Sequence, residues 1–396
     1  MPFGGPFAAP RPRARPVAVV RLSLSDFRCY SRVRLDCDAR PVVLVGPNGA
    51  GKTNLLEALS LLGPGRGLRR ARLADLDRRQ AGAAQAAGPW AVAATVETPA
   101  GSVRIGTGRD PGAGGSGTGR ERRVVRLDGR KARGQSELAA HLSLVWLTPE
   151  MDRLFLDAAA ARRRFLDRLV SAVDGAHVAR VTAYEHAMRE RARLLREGRA
   201  DGAWLTALEH TMAAEGIAIA AARRALVARL DAAAGEAIGP FPRVGVRLEG
   251  TVEAWLDAAP ALANEERLRA VLAARRRRDA ETGGALGPHR SDLAVRHVAK
   301  DLPAAGCSTG EQKALLVSLV LAHARLVAAE RGHAPVVLLD EVAARLDAGR
   351  RAALFDELMA LGAQAWLAGT DEALFQPLAP HAQLFRVIDG TVTHRG

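Results

Sequence analysis

The twelve residues VVLVGPNGAGKT, 42–53, constrain the fold more than any other stretch of the chain. An apolar strand runs into a glycine-rich turn of the form G-x-x-x-x-G-K-[ST]. A helix opens at Thr53 with apolar spacing Leu55, Leu56, Leu59 and Leu62. This order aims backbone N–H groups and the positive end of a helix dipole at one point, which suits a phosphate. ATP is therefore expected against Gly46, Pro47, Asn48, Gly49, Ala50, Gly51, Lys52, Thr53 and Asn54. Lys52 would reach the β- and γ-phosphates and Thr53 would ligate Mg2+.

Two later stretches complete that chemistry. VVLLDE, 336–341, is an apolar strand ending in two carboxylates. Asp340 is placed to hold Mg2+ and Glu341 to polarise an attacking water, so Glu341 and Lys52 are the expected catalytic pair. The segment ARLDAGRR follows at once and sets Asp347 on a tight loop near the same point. The second stretch is GCSTGEQKALL, 306–316, about 250 residues after the first loop. Ser308 and Glu311 have capping-box spacing, and a helix start of this kind also offers free N–H groups to an anion.

Between these motifs lie short strands at 17–45, antiparallel strands at 90–106 and 123–128 with a glycine-rich loop between them, and a strand at 142–147. From Pro149 to about Arg278 the pattern reads as almost wholly helical, interrupted near 197–202 and 239–250. Candidate helices span 179–197 and 203–235. A long apolar helix to Arg331, the strand 335–341 and closing strands at 363–370 and 384–394 follow. The expected organisation is a Pro/Arg-rich arm at 1–16, a first ATPase lobe at 17–150, a helical arm at 151–285 and a second lobe at 286–396. The ends of the chain must then meet in one sheet, with no internal repeat.

Composition narrows the partners. The net charge is +14 and suits a polyanion, although only four of the 57 basic residues are lysine. Lys52 and Lys313 are two of those four. No run reaches the length of a membrane span, and the N-terminus lacks the apolar core of a secretory signal. Three cysteines without metal-ligand spacing fit a reduced, cytoplasmic protein.

The order of P-loop, helical insertion, STGEQ, LLDE and LDAGRR resembles the ABC-type ATPases. The stretches LSDFRCYSRVRLD, GPNGAGKTNLLEALSLL, LTPEMDRLFLDAAAARRRFLDRLV, GPHRSDL and STGEQKALLVSLVLAHARL narrow the resemblance to the RecF family, over roughly 17–394. The resemblance implies an α/β fold, an ABC-type head with a mixed sheet and a compact, mainly helical arm without a long coiled coil. It implies that Ser308, Thr309, Gly310, Glu311 and Gln312 complete the nucleotide site of a second subunit in a head-to-tail, ATP-dependent homodimer. It further implies a weak, DNA-stimulated ATPase of DNA repair, replication and recombination (the SOS response included). That ATPase would act on gapped or duplex DNA with RecR, and with RecO, to load RecA. Arg28 would pack on adenine.

Departures from the ABC pattern are visible. Cys307 and Thr309 interrupt the usual Leu-Ser-Gly-Gly-Gln, Glu150 stands about where a lid glutamine is usual, and Thr370 and Asp371 replace the switch histidine. Slow or differently gated hydrolysis is the expected consequence. Arg66, Arg69, Arg70 and Arg72 are candidate DNA contacts, with helix capping as the alternative; the run 275–278 reads as a solvated helix face. Scarce aromatics favour backbone-directed duplex binding. His289 and Arg290 of GPHRSDL receive no chemistry. The alternatives are the ATPase subunit of a membrane transporter and another SMC-like repair ATPase.

Overall fold

The computed structural model describes residues 16–78, 88–110, 122–198, 202–236 and 238–395. The arm expected at 1–16, apart from Pro16, and the centre of the glycine-rich loop lie outside them. In chain order, β1 (Ala18–Phe27) and β2 (Tyr30–Asp36) form a hairpin, and β3 (Val42–Val45) leads into α1 (Lys52–Ser60). A meander follows of β4 (Ala91–Thr98), β5 (Gly101–Arg109), β6 (Arg123–Leu127) and β7 (Arg130–Lys131), then β8 (Leu144–Leu147). Next come α2 (Ala159–Val173), α3 (His177–Glu197), α4 (Gly202–Ala234), β9 (Val244–Glu249), α5 (Thr251–Ala258), α6 (Ala261–Ala274) and α7 (Arg276–Thr282). The chain closes with β10 (Asp292–His297), β11 (Leu302–Pro303), α8 (Thr309–Arg331), β12 (Val336–Asp340), α9 (Ala348–Leu361), β13 (Ala365–Gly369), β14 (Gln383–Ile388) and β15 (Thr391–Arg395).

The central sheet has the order β15-β14-β3-β13-β12-β8, parallel from β14 to β8, with β15 antiparallel at one edge. Strands β3, β8, β12 and β13 are buried along their whole length, as unbroken apolar runs covered on both faces must be. Alternate residues feed two cores. Val43, Val45, Val337 and Leu339 pack on the side of α2, α4, α8 and α9. Val42, Leu44, Leu338 and Trp366 pack on the side of α1 and the second, antiparallel sheet, β2-β1-β4-β5-β6-β7. That second sheet alternates, one face in the core and one in solvent, as Leu22, Leu24, Val92 and Val96 against Arg21, Ser23, Ala91 and Ala93 show. Gln364 joins the sheets: its amide exchanges hydrogen bonds with both backbone groups of Val19, at 2.8 and 3.0 Å.

Two features depart from the sequence reading. Within the stretch read as almost wholly helical, β9 pairs antiparallel with β10, and β11 completes a three-stranded sheet. The valines of PRVGVRLE alternate inward, and the proline and glycines that read only as an interruption bound a strand. The arm expected at 151–285 includes α2, but Phe165, Leu166, Leu169 and Val170 lie in the head's own core. The separate arm core consists of α3, the first half of α4, α5 and α6, around Tyr184, Met212, Ile217, Val252 and Leu268. Helix α8 is long and apolar enough to cross a membrane, yet 78% of its most apolar 18 residues is buried inside the fold, where it is the core helix.

Candidate nucleotide-binding site

The P-loop forms where β3 ends. Gly46 is dictated by close approach, since a Cβ there would lie 2.0 Å from the Val387 carbonyl oxygen of β14. Gly51 sits at φ 111 and a Cβ would meet the Tyr30 hydroxyl at 2.5 Å, so both torsion and space require glycine. The Lys52 ammonium, 5% exposed, donates to the carbonyls of Gly46 and Pro47 at 2.8 and 2.9 Å and stands 3.7 Å from Glu341.

The Thr53 hydroxyl lies 3.0 and 2.9 Å from the two oxygens of the buried Asp340 carboxylate and donates to it. Burial pushes the Asp340 carboxyl above the usual range, the Thr53 hydrogen bond opposes this, and the Glu341 charge adds to it. A hard dication beside these oxygens would relieve that cost, so the pair fits Mg2+. Among the described residues no cluster of three or more His, Cys, Asp or Glu could hold a metal alone. The remaining ligands would be phosphate oxygens and water, the usual manner of Mg2+ binding. Glu341 follows at φ 54, a left-handed conformation that a non-glycine residue adopts at a cost of roughly 1–3 kcal/mol. Its N–H is anchored to the Ala368 carbonyl at 3.0 Å, which aims its carboxylate at Lys52.

These groups share a cleft of about 300 Å³ whose lining includes Asn48, Gly49, Lys52, Thr53, Asp340 and Glu341. Glu150 and Arg69 also line it. Arg69, read as a DNA candidate, donates to Asn54 Oδ1 at 2.9 Å and pairs with Glu57, so it faces the nucleotide cleft. Its neighbour Arg70 is exposed at φ 54, and partial desolvation, with Arg164 and Arg66 nearby, lowers its pKa. Arg28 is held by α1: its guanidinium makes two 2.9 Å hydrogen bonds to the buried Glu57 carboxylate and one to the Asp75 carbonyl. The sequence reading missed Glu57, which looks like one more helix polar residue until the fold brings both arginines to it.

The STGEQ stretch starts α8 with a full capping box. Ser308 Oγ accepts from the Glu311 N–H, and Glu311 accepts from the Ser308 N–H at 3.0 Å. Lys300 binds the same carboxylate, and it and the Ser308 donors hold the Glu311 carboxyl down at about 2. Thr309 and Gly310 are exposed, while Gln312 is buried and donates to the Cys307 carbonyl. Among the described residues no hydrogen bond or ion pair joins Ser308–Gln312 to the P-loop. Asp347 caps α9 by accepting from the Arg350 N–H at 2.8 Å, and Asp371 caps the turn that follows β13. Asp152, two residues after Glu150, binds both Lys313 of α8 and Arg345 beyond β12; no sequence signal marked it.

The family-specific motifs meet each other. Arg162 of ARRRFLDR forms a two-point pair with Asp292 of GPHRSDL, both contacts at 2.7 Å, and Arg163 donates to the Ser291 carbonyl. Asp167 binds Arg223, which donates in turn to the Pro288 carbonyl. His289 Nδ1 lies 2.7 Å from the Tyr184 hydroxyl. The residues left without chemistry thus pin α2, α3 and α4 to the turn before β10.

A P-loop and a strand-end carboxylate pair on a parallel sheet, flanked by an antiparallel sheet and a helical insertion, define the head of an ABC-type ATPase. The family profile described as RecF/RecN/SMC N terminal domain matches residues 18–388. The DNA replication and repair protein RecF of Rhizobium etli (strain CIAT 652) is 50% identical over 380 residues, covering 95% of this chain and 98% of the relative. That of Rhizobium meliloti (strain 1021) is 51% identical over 382 residues, covering 95% and 99%. The chain belongs to the RecF family. Its fold is also that of the recombination mediator protein RecF solved with ATP, with a TM-score of 0.81 at 20% identity over 98% of this chain and all of that one. An Smc head domain from Pyrococcus furiosus is more distant, at a TM-score of 0.50 and 17% identity over 96% of each chain.

Proposed function

We propose that the chain is an ATP-driven clamp on DNA that works in recombinational repair. The observation that carries this reading is the separation of two complementary half-sites. Lys52, Thr53, Asp340 and Glu341 converge on one cleft, while Ser308 and the open start of α8 face solvent with no P-loop partner among the described residues. In two copies related by a twofold axis, each signature segment would cover the other copy's cleft.

Within that dimer each residue has a task. Lys52 leaves the carbonyls of Gly46 and Pro47 to bind β- and γ-phosphate oxygens. Thr53 and Asp340 would hold Mg2+, which would supply charge neutralisation of the phosphates. Glu341 orients the attacking water and accepts its proton. Ser308 Oγ and the first N–H groups of α8 stabilise the γ-phosphate of the partner's nucleotide. Hydrolysis removes the charge that holds the two copies together, and the clamp opens. Arg28 and Arg69, both fixed on Glu57, line the entry for the base and the inner phosphates. The relatives named for DNA replication and repair support DNA as the substrate, and the mediator of the RecFOR pathway solved with ATP supports RecR and RecO as partners; action on gapped or duplex DNA and the loading of RecA are part of the proposal.

The test is light-scattering mass with and without ATP and Mg2+, in the Glu341→Gln variant to slow turnover. A mass that doubles only with ATP supports the shared site. A constant monomer mass with normal ATP binding refutes it.

A further inference from the structure

Of the arginines after α1, Arg69 is committed to the nucleotide cleft, while Arg66, Arg70 and Arg72 are exposed on one short loop. A different surface carries unspent positive charge. The antiparallel sheet turns one face into the core and leaves the other uncovered among the described residues. Strand register fixes what that open face displays. One row across the sheet reads Arg34, Ser23, Ala93, Gly106, Arg126 and Lys131. The next reads Arg32, Ser25, Ala91, Gly108 and Val124. In these two rows the three middle strands present a floor of serine, alanine and glycine with the cations on the outer strands; the adjacent row, Asp36, Arg21, Thr95 and Arg104, brings two arginines onto the middle strands at one end of the face.

The shape follows from these side chains. The face holds a depression of about 360 Å³ above Ser23, Ala93 and Gly106, edged by Arg21, Arg104 and Arg126. From β2 to β6 there are four strand spacings, which at about 4.8 Å each put the arginine rims roughly 19 Å apart. At Gly106 an added Cβ would stand 3.9 Å from its nearest neighbour, the Arg126 Cβ, so packing does not demand glycine. Its effect is to keep the floor low.

We propose that this face seats the sugar-phosphate backbone of duplex DNA. The inference rests on the reading that the chain acts on DNA, and adds where the duplex lies. Charge complementarity selects the occupant. Arg21 and Arg34 share the exposed Asp36, and Arg104 lies 4.0 Å from Asp128. Arg32 and Lys131 have no carboxylate partner among the described residues. Such exposed pairs are worth little, so phosphates can take over their arginines at small cost. Among the described residues the face displays no aromatic side chain, which suits backbone contact and not base stacking. The hydroxyls of Ser23 and Ser25 supply neutral donors between the rims.

The test is duplex binding by fluorescence anisotropy, with ATP and Mg2+, over a range of salt. The quadruple variant Arg32→Ala, Arg34→Ala, Arg126→Ala, Lys131→Ala removes only exposed side chains. It should bind at least tenfold more weakly at about 0.1 M salt, with the slope of log K against log salt reduced by about 0.9 per lost phosphate contact. Ala93→Glu, a single change on the exposed floor, should weaken binding several-fold with nucleotide affinity unchanged. A matched variant on the helical arm, with Arg269, Arg275, Arg277 and Arg278 changed to alanine, should bind as the parent does. The proposal is overturned if the sheet variants keep parental affinity and slope, or if the arm variant loses as much. If the parent itself binds no duplex under ATP, the DNA reading of the chain fails and this location fails with it.

Discussion

Replacing Ser308 by aspartate separates the two things Ser308 does. As the first residue before α8 it accepts from the Glu311 N–H and closes a capping box. Aspartate caps as well as serine, so the helix start survives. Lys300 already sits on Glu311 and offsets part of the repulsion between the new carboxylate and Glu311, which also loses the hydrogen bond from the Ser308 hydroxyl at 2.9 Å. The thermal midpoint should fall by about 2–4 °C, the effect of roughly 1 kcal/mol. Across a shared site the same change is severe. A carboxylate about 4 Å from a phosphate charge opposes association by about 4 kcal/mol at an effective dielectric of 20. The lost hydroxyl donor to a charged oxygen costs roughly 1.5–3 kcal/mol more. Twofold symmetry doubles the sum to about 11–14 kcal/mol, and halving it for residual hydration leaves about 5–7 kcal/mol. Dimer affinity should then fall on the order of 10⁴-fold. Sedimentation velocity over a concentration series, with ATP and Mg2+ in the Glu341→Gln background, reads this directly. Ser308→Ala serves as the contrast, losing the cap at about 1 kcal/mol of stability and the donor, but adding no charge. If the aspartate variant dimerises within threefold of the parent and binds ATP normally, the segment is a helix cap and nothing more.

The legible parts of this chain were those where one residue type answers one physical demand. The strand, glycine turn and lysine of 42–52 announce a phosphate loop because little else uses that order, and LLDE announces its carboxylates once a P-loop precedes it. Residues whose meaning depends on distant neighbours stayed silent. Asp152 reads as a solvated acid until the fold sets Lys313 and Arg345 against it. Arg69 reads as part of a basic run, yet the loop after α1 folds back and delivers it to Asn54 and Glu57. Strand β9 was hidden by its setting: six residues among helices declare themselves only through their partner β10, some fifty residues on. The basic sheet face was hidden for a similar reason. Arg34 and Arg126 are 92 residues apart in sequence, and only the register through Ser23, Ala93 and Gly106 puts them on opposite sides of one trough.

Other outcomes follow from the same geometry. Gly46→Ala should abolish ATP binding, because its Cβ would stand 2.0 Å from a backbone oxygen; Gly49→Ala, at φ 81 but with open space, should retain binding with a stability loss of about 1–2 kcal/mol. Isothermal titration calorimetry and thermal melts of the two variants check the contrast. Arg162→Ala should destabilise the fold by roughly 2–3 kcal/mol, since it strands Asp292 and releases the carbonyl of Asp157, and denaturant titration measures it. The last expectation concerns pH. Burial pushes the imidazoles of His289 and His323 down to about 4, against an unfolded value of about 6.5. Between those limits the unfolded chain binds more protons than the folded one, so stability falls as the pH drops from about 6.5 towards 4 and this contribution then levels off. Each histidine contributes at most about 1.4 kcal/mol per pH unit. His289→Gln should keep a hydrogen bond to Tyr184 and remove one of the two titrating groups, so the decline in stability between pH 6 and about 4.5 should lose up to half its slope. A slope equal to that of the parent would show that His289 titrates as freely in the fold as outside it, and the buried joint between α3 and the GPHR turn would have to be open to water.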